Sequence, residues 1–211
     1  MLYCYFIARS QPRIEEFPYR TLHGAPIEFV RFQELVAAVR PLPPGARSSP
    51  QLMLEHGAIL TTAWKRATVL PLRFGAGFSS EAAVLNLLAE GGAELLAALD
   101  RLDGKAEMGL RINILEPANA QARAAQIAEI CQPIESWVEV QPNPAASAVL
   151  ELAHLIYRRD AAEYRQRLEP HAVEVIGPRP PFHFLPQCLR RPVQTERRSG
   201  RTRKAAAGNA G

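Results

Sequence analysis

The chain has 211 residues, 47% of them hydrophobic and 22% charged, with a formal net charge of +4, enough for one good core or two small ones and close to ordinary globular composition. The positive balance sits at the end: Arg190, Arg191, Arg197, Arg198, Arg201, Arg203 and Lys204 face only Glu196 after Leu189, so the remainder is slightly acidic. This excludes a basic folded surface for nucleic acid and predicts a basic, disordered tail over 187–211.

The opening LYCYFIA is apolar on both alternating faces and predicts a central strand covered on both sides. The run is too short and lacks the basic flank of a secretion signal, and no stretch reaches the roughly 18 to 20 apolar residues of a membrane helix. The expected location is therefore cytoplasmic, with no membrane partner. After a loop containing Pro12, Pro18 and Gly24, two short strands are expected near Ile27–Phe32 and Leu35–Val39. Ser48 or Ser49 before Pro50 marks a helix start, and Leu52, His56, Ile59, Leu60 and Ala63 line one face of a helix over 50–66. The segment TVLPLRFGAGF carries an internal proline and suits an edge or bulged strand entering a glycine turn. A leucine-rich helical stretch follows a serine cap at 79 or 80 and is expected to break at Gly91 and Gly92.

KAEMGLRINI alternates cleanly between apolar and polar residues. From there the pattern reads strand 106–115, helix 118–131, strands 134–141 and 147–157, helix 160–169 and strand 171–176, the βαββαβ order of a ferredoxin-like fold. The fold class is thus α+β in two domains: an N-terminal α+β domain over 1–105 and a ferredoxin-like domain over 106–186. GPRPPFHFLP closes the fold as a stiff extended segment.

The stretch over 56–112, with its helical His56, LPLRFG strand, Phe-Ser turn, leucine-rich helix and Gly-Lys-x-Glu strand entry, resembles the GvpL/GvpF family of gas vesicle proteins. VEVIGPRPPF resembles the family's closing Gly-Pro-x-Pro-Pro-aromatic motif, and the two blocks fall in the family's order. Two departures stand out. Arg179 and Phe182 occupy positions where the family usually has Trp and Tyr, and a helical extension of the second domain is missing, which implies a trimmed ferredoxin-like version. The resemblance implies a non-enzymatic accessory protein, an assembly factor or minor shell-associated component. Its partners would be the hydrophobic gas vesicle shell subunit and other gas vesicle proteins.

Residues singled out as interdomain or partner contacts are Arg73, Phe74, Gly75, Glu107, Gly177, Pro178, Pro180, Pro181, Phe182 and Phe184. A guanidinium at Arg73 among apolar neighbours needs a partner, and Glu107 is the expected one, as a clasp between domains; two solvated charges are the alternative. The proline-aromatic segment reads as an internal strap across both domains, with a partner groove as the alternative. His56 reads as a packed imidazole rather than a general base, since no positioned nucleophile accompanies it. Cys4, Cys131 and Cys188 have neither disulfide nor zinc-ligand spacing, and no phosphate loop or metal cluster appears, so no cofactor is expected. A nucleic-acid-binding regulator acting through the tail is the alternative function.

Overall fold

The computed structural model describes residues 1–19, 21, 24–42, 49–142, 148–171 and 173–190. The chain is α+β and contains two antiparallel sheets. The first has strand order β2-β3-β1-β4, where β1 is Leu2–Arg9, β2 Glu28–Phe32, β3 Leu35–Pro41 and β4 Val69–Pro71; β5 (Gly77–Phe78) also pairs with β1.

Strand β1 is the central strand that its two-sided apolar pattern predicts. Its register shifts between Cys4 and Phe6. This irregularity inserts one residue, so consecutive aromatics Tyr5 and Phe6 join the same apolar cluster while Cys4 and Ile7 join the one on the other face. The short helix α1 (Pro12–Glu15) forms where a loop was expected, with Pro12 in its first turn.

Helix α2 (Pro50–Arg66) covers one face of the first sheet, and its Ser49 Oγ accepts from the Leu52 N–H at 3.1 Å. Helices α3 (Glu81–Glu90) and α4 (Gly92–Leu102) cover the other. They meet at 73° around Gly91, where a Cβ would lie 3.0 Å from the Leu87 carbonyl and 3.4 Å from Cys188 Sγ. The break thus has a packing reason as well as a propensity one.

The second sheet has order β7-β8-β6-β9: β6 Lys105–Ile114, β7 Glu135–Pro142, β8 Ala148–Tyr157 and β9 Glu174–Arg179. With α5 (Ala120–Cys131) after β6 and α6 (Ala161–Leu168) after β8, this is the βαββαβ arrangement read from the sequence. Met108, Leu110, Ile112, Leu150, Leu152 and Ile156 point to α5 and α6 and form one core with them. Ala153 and Leu155, on the opposite face, enter a cluster with Leu95, Leu99 and Leu102 of α4 and with Cys4 and Leu70 of the first sheet. The α3–α4 layer therefore lies between the sheets.

Strand β9 runs through Gly177 and Pro178, farther than 171–176. It tolerates the proline because it is an edge strand, where a missing N–H leaves no central ladder position empty. The chain then crosses back over α4 to α7 (Gln187–Arg190), whose Cys188 and Leu189 pack on the inter-sheet cluster. Packing therefore continues past 187, the expected start of the tail; residues 191–211 lie outside the described residues.

Candidate functional site

The C-terminal strap is held by Glu107, a fully buried carboxylate on β6. Oε1 of Glu107 accepts from Arg179 Nε at 2.9 Å and pairs with Nη2 at 2.7 Å. It also accepts from His183 Nδ1 at 2.8 Å, while Oε2 accepts from the His183 backbone N–H at 2.8 Å. Since a carboxylate only accepts, the His183 proton sits on Nδ1. Burial alone would raise the Glu107 pKa; the hydrogen bonds from His183 and the nearby positive charge outweigh it and hold the carboxyl below the ordinary range. Trp137 of β7 packs on the His183 ring at 4.2 Å between centroids.

Beyond His183, Phe184 and Leu185 are buried in the inter-sheet cluster. The Arg101 guanidinium of α4 donates to the Phe184 carbonyl and also to Glu135, and Glu94 accepts the Gln187 N–H at 2.6 Å. Pro180 and Pro181 are buried and Phe182 packs against the cluster under α2. GPRPPF is thus an internal strap. Gly177 has φ +122° and an added Cβ would lie 2.7 Å from the Glu107 carbonyl oxygen, so the strap's entry requires glycine.

The expected Arg73–Glu107 pair does not form. Both Glu107 oxygens are engaged by Arg179 and His183, and Arg73 is exposed. The strand ends at Pro71, and the turn closed by the Ala76 N–H on the Arg73 carbonyl leaves the guanidinium outside the core. The signal that was missed lies in the strap motif itself, which supplies both a cation and an imidazole. Phe74 is half-buried against Tyr3 and His56, and Gly75 has φ +89°.

His56 fastens this same loop. Its Nε2 lies 3.0 Å from the Leu72 carbonyl, which only accepts, so the proton is on Nε2 and Nδ1 accepts from the Tyr3 hydroxyl at 2.8 Å. The Tyr3 oxygen in turn receives the Gly75 N–H at 3.3 Å. Burial lowers the His56 pKa to about 4, so the ring is neutral at pH 7. Beside it, buried Glu55 pairs with Arg40 at 2.9 Å and accepts from the Tyr5 hydroxyl. The imidazole is a structural link between α2 and the loop.

These bonds give α2 an inverted face. From Pro50 to Trp64 its only ionisable residues are Glu55 and His56, and both are buried. The exposed positions over the same span are Pro50, Gln51, Met53, Leu54, Gly57, Ala58 and Thr61, with Leu54 74% and Met53 57% exposed. A surface helix ordinarily does the reverse. A Cβ at Gly57 would meet nothing within 4 Å, so no internal contact calls for glycine there. Among the described residues no group of three or more His, Cys, Asp or Glu is placed to hold a metal ion, and no single helix is long and apolar enough to cross a membrane.

Two stacked antiparallel sheets with a helical layer between them define a two-sheet α+β protein, and its overall fold is similar to those of two solved gas vesicle proteins. GvpF from Anabaena sp. PCC7120 is 17% identical, with TM-score 0.66 over 87% of this chain and 94% of that one. GvpF from Microcystis aeruginosa is 15% identical, with TM-score 0.68 over 87% of this chain and 98% of that one. No curated protein sequence matches the chain. The family model described as gas vesicle synthesis protein GvpL/GvpF matches residues 1–122, and the chain belongs to that family. It is a gas vesicle-related protein.

Proposed function

We propose that this protein is a gas vesicle accessory factor that binds the hydrophobic shell subunit during assembly or in the nascent shell, without catalysing a reaction, in the cytoplasm where vesicles form. The observation that carries this reading is the exposed face of α2. An uncharged helical surface with Leu54 and Met53 standing beside flat Gly57, Ala58 and Thr61 suits close packing of an apolar partner. A shell subunit outside the shell has apolar surface of its own to cover, and the rigid sheet beneath α2 keeps this face presented. Other gas vesicle proteins are further partners on this reading.

The test is recovery of the shell subunit by the tagged chain from cells expressing a complete gas vesicle cluster, with the wild type and with Leu54→Glu. Salt-resistant recovery by the wild type and loss in the variant supports the proposal; recovery of nucleic acid instead would put the regulator reading in its place.

A further inference from the structure

A second surface, separate from α2, lies on the outer strand of the second sheet. Strand β7 is eight residues long and, among the described residues, pairs only with β8. The other sheet edges are blunted: β9 contains Gly177 and Pro178, β4 has three residues ending in Pro71, and β2 has five. β7 has no proline before Pro142 and no lysine or arginine, and it exposes Val138 and Val140 at 38% and 40%. Such an edge is a template for one more strand.

Charge specifies what fits there. Glu139 stands directly across from Glu151 of β8, a like-charge pair that disfavours the ladder. Glu151 is compensated from the inner side by Arg111 of β6 at 3.0 Å and accepts from Gln141 Nε2 of β7 at 3.1 Å. Glu139 is exposed and has no hydrogen bond or ion pair among the described residues. The strand's other charge, Glu135, is taken by Arg101. A cation for Glu139 can therefore come from beyond the open edge. A second copy of β7 brings only carboxylates and deepens the repulsion.

We infer that β7 accepts an extended segment of another polypeptide by strand addition, and that this segment carries a lysine or arginine across from Glu139. Branched apolar residues on its other face cover Val138 and Val140. The partner chemistry is a basic, β-prone strand, and the inference stands whether or not α2 binds the shell subunit.

The probes are two short synthetic peptides, alternating Val and Thr around a central Lys or a central Glu, titrated against the full chain by fluorescence anisotropy with hydrogen exchange on the complex. The expected result is a preference of roughly threefold to tenfold for the Lys peptide, with slowed exchange confined to β7. The preference inverts in Glu139→Lys, an outcome that misfolding cannot imitate. Equal binding of the two peptides, no binding of either, a preference unmoved by Glu139→Lys, or protection away from β7 would overturn the inference. So would self-association of the chain through β7 in sedimentation experiments.

Discussion

The Glu107 carboxylate receives His183 twice, through the imidazole Nδ1 and through the backbone N–H, both at 2.8 Å. One buried side chain on β6 thus fixes both the ring and the main chain of a strap residue that lies far along the sequence. Glu107→Ala leaves the His183 N–H and the Arg179 guanidinium without their acceptor and is expected to destabilise the protein by about 3 kcal/mol. Glu107→Gln keeps one carbonyl acceptor and costs less. Urea unfolding of the two variants checks the order, and proteolysis at the strap should rise in the same order.

Acid should loosen the protein in two windows. His56, and His154 of β8, which is buried with its Nδ1 2.7 Å from the Tyr164 hydroxyl of α6, are both lowered to about 4 by burial. Between the ordinary value of 6.5 and about 4 the unfolded chain takes up protons that the native imidazoles refuse. Stability is therefore complete above 6.5 and falls as the pH is lowered, by roughly 3 kcal/mol per imidazole at most. Glu107 is also depressed, but as an acid: its contribution is complete above 4.5 and is lost as the pH falls through its lower folded value. Melting temperatures should fall stepwise at about pH 7, 5.5, 4 and 3, with His56→Gln and His154→Gln flattening the upper window and Glu107→Gln only the lower.

Gly177→Ala combines a left-handed φ of +122° with a Cβ 2.7 Å from the Glu107 carbonyl oxygen. It is expected to cost about 2 to 3 kcal/mol. The loss should appear as a lower denaturant midpoint and as faster exchange of the His183 amide, since the displaced strand carries the strap with it.

Gly57→Ala should do the opposite. The added methyl meets no atom within 4 Å and the residue is mid-helix, so the free protein gains about 0.5 to 1 kcal/mol. If the α2 face packs closely against a partner, the same methyl weakens that binding. A variant that is more stable alone yet poorer at retaining the shell subunit separates the two roles of the residue.

Much of the fold was legible because it rests on local chemistry. The helix over 50–66 was readable from its serine-proline start and apolar spacing, and the βαββαβ order from clean alternation in β6. The register irregularity between Cys4 and Phe6 was not, since Tyr5 and Phe6 read as alternating residues until one is seen to be extra. Glu107 stood out in the sequence as a carboxylate in need of a partner, but the partner was not legible, because pairing depends on which loop folds back over β6. Arg73 lies in a turn that leaves it outside, whereas Arg179 and His183 arrive on the strap. The inverted character of α2 was half visible: the apolar stripe was legible, while the uncharged outer face became apparent only once Arg40 and Tyr5 were found donating to Glu55 inside.

The role proposed for the exposed face of α2 is to cover apolar surface of the shell subunit. Its most direct test is the amount of purified shell subunit kept in the supernatant after dilution from denaturant in the presence of this protein, for wild type and for Leu54→Glu. The expected result is a soluble complex with the wild type and loss of that complex with Leu54→Glu, whose melting temperature stays unchanged. A shell subunit held in solution equally by both proteins, or by neither, would contradict it.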